Sequence, residues 1–204
     1  MGTQHHRGSC IPGGSMLNLK AMNEAEIAAL YESSMRRDFP ESELKSLSAI
    51  LNMLRRDSYD VLGAYDGNQL IAYALVYRPR EGRIALIDYL AVEPDSRNRG
   101  VGSMLLRQLR RYYCDDADVL MIECERPKAA PDEAEARKRI RFYSQSGAKL
   151  TNARILLFGV EYSIMALPCT DSLVECDWAE QMLTLYRQML PKELYEQNVR
   201  LIRS

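Results

Sequence analysis

The stretch from Ile84 to Leu106, IALIDYLAVEPDSRNRGVGSMLL, constrains the fold more than any other part of the chain. It opens with a nearly unbroken apolar run, Ile84 to Val92, interrupted by a single acid, Asp88. Such a run suits a strand covered on both faces. Glu93-Pro94-Asp95-Ser96 turns the chain, and Arg97-Asn98-Arg99-Gly100-Val101-Gly102 follows as a cationic glycine turn. Met104, Leu105, Leu109 and Tyr112 then mark the apolar face of an amphipathic helix, and Val119 to Cys124 is apolar enough for another central strand. A strand–helix–strand unit of this kind requires a right-handed crossover between parallel strands.

The flanking segments fill in the rest of the sheet. Residues 16–22 alternate through Leu17, Leu19 and Ala21 and predict a first strand. Asn23 with Glu26 three residues on is a capping-box pattern, followed by Ile27, Leu30, Tyr31 and Ser34 at helical spacing. Phe39-Pro40 ends that helix, and Ser42 starts a second, carrying Leu44, Leu47, Ile50, Leu51 and Leu54. From Tyr59 the period changes to two, and Asp66-Gly67-Asn68 separates the arms of a hairpin. Asp132 and Glu135 open a helix with Ile140 and Tyr143, which Gly147 stops. Residues 154–160 and 162–167 predict two antiparallel strands. Residues 177–190 form an amphipathic helix through Trp178, Met182, Leu185, Tyr186 and Met189, with a last short helix running to Ile202. The element order is that of one α+β (mixed α/β) domain. Residues 1–15 read as a polar leader outside the fold, 16–168 as the main domain, and 169–204 as a C-terminal helical extension packed on it.

Composition excludes several classes. In 204 residues, 27 Lys+Arg against 28 Asp+Glu leave a net charge of −1, which gives no reason to expect nucleic-acid or membrane binding. No apolar run approaches the roughly 18 residues of a membrane span. Cys10, Cys114, Cys124, Cys169 and Cys176 have neither C-x-x-C nor zinc spacing, so reduced thiols in a cytoplasmic protein without a metal are expected. His5-His6 lies in the leader and suggests no metal site.

The glycine turn carries the clearest chemistry. Its glycines let backbone N–H groups approach a ligand closely. The helix that follows leaves its first N–H groups unpaired and adds partial positive charge. Arg97 and Arg99 add guanidinium forks suited to phosphate oxygens. A Walker loop is excluded because no Gly-Lys-Ser/Thr follows, and the third glycine of a dinucleotide fingerprint would fall at Leu105.

LAVEPDSRNRGVGSMLL, with Arg97, Gly100 and Gly102 at signature positions, resembles the pyrophosphate-binding motif of the GNAT family of acetyl-CoA-dependent N-acetyltransferases. RFYSQSGAKL, Arg141 to Leu150, resembles the family's second recognisable stretch, and the element order matches over residues 16–168. The resemblance implies the acyl-CoA N-acyltransferase fold: a central, largely antiparallel sheet with one splayed parallel pair and helices on both faces. It implies a diphosphate on the backbone amides of Arg99, Gly100, Val101, Gly102 and Ser103, with Arg97 and Asn98 also in the coenzyme site, and pantetheine along Leu90, Ala91 and Val92. Tyr143 falls where the family places a tyrosine that protonates the departing thiolate; it would also touch the coenzyme. By period two Asp88 shares a face with Ile84, Leu86, Leu90 and Val92. A lone acid there is costly unless paired or functional. It is the first choice for receiving the amine proton, Glu123 the rival, and pairing with a buried Arg or hydroxyl the structural alternative.

The function implied is acetyl transfer from acetyl-CoA, as cosubstrate, to a primary amine of a small molecule or peptide by direct attack. The cysteines form no nucleophile pattern with a histidine. Other readings are an inactive coenzyme-A-binding sensor or interaction domain, or a different phosphate-ligand protein that shares the turn. A monomer or homodimer fits equally, and the acceptor region spans residues 25–54, 126–131 and 154–162.

Overall fold

A computed structural model describes residues 17–170 and 176–202. The leader, with His5, His6 and Cys10, lies outside the described residues. Eight strands form one sheet in the order β1-β2-β3-β4-β5-β7-β6-β8. They are β1 (Asn18–Ala21), β2 (Tyr59–Asp66), β3 (Gln69–Tyr77), β4 (Ile84–Val92), β5 (Val119–Glu125), β6 (Lys149–Leu157), β7 (Val160–Pro168) and β8 (Val199–Leu201). Among the described residues β4 and β5 are the only parallel neighbours, as the crossover through helix α4 (Val101–Tyr113) demands.

One face is covered by α1 (Glu24–Leu30), a π turn (Tyr31–Met35), the short α2 (Arg36–Asp38), α3 (Leu47–Arg55) and α6 (Trp178–Met189). Their Ile27, Leu30, Met35, Ile50, Trp178 and Met182 pack on Tyr59, Leu75, Leu86 and Met121 of the sheet. The other face is covered by α4 and α5 (Glu133–Gln145), whose Leu105, Leu106, Leu109 and Tyr143 pack on Ala74, Ile87, Leu120 and Met165. The mixed α/β class and the helices on both faces are as the sequence implies.

Local signals place most of the helices. Asn23 and Glu26 close a reciprocal capping box on α1. Asp132 and Asp177 cap α5 and α6 through the N–H groups of Glu135 and Glu180. Three boundaries differ from expectation. The second helix begins at Leu47 under a Ser46 cap instead of at Ser42, because residues 41–43 are spent in a turn after Pro40. The last hairpin turns at Phe158-Gly159, where both residues have positive φ (48° and 83°), so Val160 belongs to β7 and β6 reaches back to Lys149. The chain after Pro191 is helical only over α7 (Lys192–Asn198). Val199–Leu201 then pairs with β6, so the C-terminal extension contributes a strand as well as helices.

The parallel pair is short. Ile84–Ile87 is in register with Val119–Ile122, and there the ladder stops, while β4 continues against β3 to Val92. Beyond Ile87 and Ile122 the two strands diverge, leaving one edge of residues 88–92 without a strand partner. On the β3 side Leu75 pairs with Tyr89 and Val76 with Ile87, so Asp88 is the extra residue of a β-bulge. Bulges re-aim side chains and occur beside functional sites.

Candidate active site

The bulge overturns the face assignment for Asp88. Ile84, Leu86, Tyr89 and Ala91 face the layer of α1, α3 and α6, whereas Ala85, Ile87, Leu90 and Val92 face the layer of α4 and α5. Period two fails across the extra residue, so Leu90 and Val92 are not on the Asp88 face. The Asp88 carboxylate lies in the first layer, with its side chain 6% exposed. It accepts a hydrogen bond from the Tyr59 hydroxyl and, at 2.8 Å, one from the Lys45 ammonium. The structural alternative therefore describes it: a buried acid with a cation and a hydroxyl as partners.

Glu123 is the first residue of β5 past the paired segment, and it faces the same layer. Tyr186 of α6 donates to its Oε1 at 2.7 Å. Burial pushes its carboxyl up; the Tyr186 hydrogen bond opposes this, Asp88 adds to it and Lys45 opposes it, leaving the group at about 7. A carboxyl held there is poised to exchange a proton near neutrality.

Tyr143 projects from α5 on the opposite face, where it is buried beside Cys124 of β5. Burial raises its hydroxyl well above the ordinary tyrosine range, with Cys124 adding and Arg139 opposing. It stays protonated at neutral pH. Cys124 is itself pushed up to about 12, chiefly by burial, so it is a poor nucleophile. Cys114 and Cys169 also carry free thiols. Glu123 and Tyr143 thus flank β5 from its two sides at the end of the paired segment.

The glycine turn lies at the N-terminus of α4. Asn98 and Gly100 both have positive φ (60° and 76°). A backbone of this kind points successive N–H groups outward and makes an anion-binding concavity. No side chain caps α4, whereas α1, α3, α5 and α6 are each capped by their own Asn, Ser or Asp. The first N–H groups of α4 are therefore available to a ligand. Gly100 is needed for its conformation, since a Cβ there would meet nothing within 4 Å. Gly102 is needed for space: a Cβ would come within 3.0 Å of the Phe142 ring, where α4 and α5 approach.

Arg97 departs from the role expected of it. Its Nε donates to the Val92 carbonyl and its Nη2 to Asp38, each at 3.0 Å. Asp38, 4% exposed, also accepts from the Tyr73 hydroxyl at 2.9 Å. Arg37 bridges Asp38 and Glu93, and Ser34 of the π turn donates to Glu93 at 2.6 Å. Arg97 therefore locks the end of β4 to α2, which leaves Arg99, exposed and ion-paired with no other described residue, as the turn's outward cation.

Sequence reasoning missed Lys45, Tyr59, Tyr186 and Asp38. Tyr186 enters the sequence pattern only as part of an apolar stripe, and Lys45 carries no signal of its own there. Nothing in the sequence places their polar ends against Asp88 and Glu123. Among the described residues no group of His, Cys, Asp and Glu is arranged to hold a metal ion, and no helix is long and apolar enough to cross a membrane.

The comparisons agree with this architecture. The family model for the acetyltransferase (GNAT) family matches residues 24–146. No curated protein matches the chain. A solved GNAT-family protein from Bacteroides thetaiotaomicron superposes with a TM-score of 0.67 at 19% identity, covering 83% of this chain and 96% of that one. The ribosomal-protein-S18-alanine N-acetyltransferase from Escherichia coli gives 0.58 at 19% identity, covering 80% and 100%. A spermidine N-acetyltransferase chimera of Vibrio cholerae and hSSAT gives 0.59 at 13% identity, covering 76% and 96%. At these identities the structural likeness is one of fold; the family match spans more than half of the chain. The chain belongs to the GNAT family of acetyltransferases and is an acyltransferase.

Proposed function

We propose that the protein transfers acetyl from acetyl-CoA to a primary amine by direct attack, without a covalent enzyme intermediate. One observation carries the reading: an uncapped helix N-terminus beside a strand splay that holds a carboxyl near neutrality. The open backbone of residues 99–103 fits a diphosphate, and the unpaired edge of residues 90–92 suits an extended, amide-bearing arm. Acetyl-CoA would supply the activated thioester, and the chain's own residues supply proton transfers and orientation. Glu123 receives the amine proton, in place of Asp88, which is committed to Lys45 and Tyr59. Tyr143 gives a proton to the departing sulfur. An acid–base pair of this kind contributes about 10²–10⁴-fold.

The acceptor enters from the α1–α3 side, where Tyr31, Arg36, Phe39, Glu41, Leu44 and Ser46 line a cavity of about 430 Å³. The fold neighbours acetylate amines as different as a protein's alanine and spermidine, so fold alone selects no acceptor. Residues 16–168 form the catalytic unit. The 169–204 extension belongs to it, a reading supported by the Tyr186–Glu123 hydrogen bond. Free thiols suit a cytoplasmic setting.

The test is a panel of amines and peptides with acetyl-CoA, read by thiol release. Steady turnover with one class of amine is expected. Tighter calorimetric binding of ATP or NAD than of acetyl-CoA would sink the reading, and acetyl-CoA binding without turnover across the panel would favour a sensor.

A further inference from the structure

The acid cluster already contains a primary amine. Lys45 lies in the 39–46 loop between α2 and α3, and its side chain is 21% exposed. Its ammonium sits 2.8 Å from Asp88 Oδ1 and 5.3 Å from the centroid of the Tyr89 ring. Carboxylate and aromatic face together are what a site for an incoming ammonium would use. The loop itself is held to β4: the Lys45 N–H donates to the Tyr89 hydroxyl at 2.9 Å, and that hydroxyl donates to the Glu43 carbonyl at 2.7 Å. Asp88 and Tyr89 are the first residues of β4 beyond the parallel ladder. The amine is thus tethered to the strand segment that would carry the thioester, on the face where Glu123 waits.

We propose that Lys45 occupies the acceptor-amine position and that, with no other amine present, the enzyme acetylates Lys45 in its own chain. The inference rests on the acetyltransferase reading above. In the step, Glu123 takes one proton from the Lys45 ammonium and later passes it to water. The freed nitrogen forms a bond to the thioester carbonyl carbon. The carbon–sulfur bond breaks with its electron pair on sulfur, and Tyr143 protonates that thiolate. The second proton lost by the nitrogen as it becomes an amide restores Tyr143. The product lysine is neutral, so Asp88 loses its ion-pair partner and keeps the Tyr59 hydrogen bond. Tethering makes the reaction unimolecular, and an oriented tether is worth a high effective concentration.

The experiment incubates the purified full chain with acetyl-CoA and no added amine, then maps acetyl groups by tandem mass spectrometry. Lys45 should carry acetyl ahead of every other lysine. The rate should be unchanged over a hundredfold range of protein concentration and about 10²–10⁴-fold lower in Glu123→Gln. Calorimetry on Lys45→Arg should find coenzyme A affinity unchanged, while the mapped acetyl disappears without moving to a neighbouring lysine. Lys45 left unmodified while the amine panel releases thiol would overturn this inference and spare the acetyltransferase reading. Equal labelling of the urea-unfolded chain would reduce the modification to plain chemical acetylation and also overturn it. Neither thiol release nor labelling would remove both.

Discussion

The two ends of the splay are built on opposite principles. At the α4 N-terminus the polar groups belong to the backbone and are left open: no side chain caps the helix, and Gly100 and Asn98 hold positive φ to keep the N–H groups turned outward. Around Asp88 and Glu123 the polar groups belong to side chains from five elements or loops, and they are already partnered with one another. A backbone seat for an anion can be rigid and empty because water serves the N–H groups until a ligand arrives. A buried carboxyl has no such option and must be paired or protonated. The first region is therefore a standing receptor, and the second is a set of interactions that an acceptor must enter and rearrange.

The strongest way to break this comparison is Glu123→Gln. On the proposed reading kcat falls by about 10²–10⁴, while acetyl-CoA affinity, a property of the other end, holds. The wild-type rate should rise with pH through a limb near 7, because only the ionised carboxyl accepts a proton, and the Gln variant should lack that limb. Stability runs the other way. Between about 4.5, the ordinary value, and about 7 the native carboxyl keeps a proton that the unfolded chain has released. Raising the pH through that window therefore withdraws stability, and Glu123→Gln should flatten the dependence. A pH limb that survives in the variant would move the base elsewhere.

Tyr143→Phe asks whether the opposite face of β5 carries the acid. A loss of about 10² in kcat, at the lower end of the acid–base range, with unchanged acetyl-CoA affinity is expected. Unchanged kcat would leave Tyr143 as a packed core residue beside Cys124.

Gly100→Val probes the backbone seat. Open space surrounds the position, and the difficulty for a side chain there is φ of +76°. A β-branched residue held there costs about 1–3 kcal/mol, so acetyl-CoA affinity should weaken roughly tenfold to a hundredfold, with the response of kcat at saturation much smaller. Binding that survives intact would place the phosphate site elsewhere.

What was legible in the sequence follows the same division. Caps at Asn23 and Asp132, the Asp66–Asn68 turn and the glycine turn are written within a few residues of one another, so local chemistry decides them. The fold class and the parallel crossover followed from those pieces. Asp88 was noticed as an oddity, but its partners Lys45 and Tyr59 are joined to it only by sheet order and loop packing. The bulge that moves Leu90 and Val92 off its face leaves no mark in the apolar pattern, because both faces of β4 carry apolar residues packed in a core. Phe158 in a left-handed turn and the Val199–Leu201 edge strand were missed for a related reason: residue type argued against the first, and the second continues a helix without a breaker.

The smallest expected effect is the control that gives the others meaning. Asp132→Ala removes the side-chain cap from α5, the helix that carries Tyr143. Losing such a cap costs about 1 kcal/mol, which in a chain of this size lowers Tm by about 2–4 °C. It exposes N–H groups on a second helix of the same length and on the same face of the sheet as α4. If an uncapped N-terminus were sufficient for coenzyme binding, this variant would gain a second site; if general loosening of that layer explained the Gly100→Val result, it would lose affinity at the first. The comparison predicts neither. Calorimetry should return one acetyl-CoA site of unchanged affinity, because Asp132 lacks what the residues before α4 provide: paired positive-φ residues that aim the N–H groups, an outward Arg99, and the unpaired edge of β4 beside them.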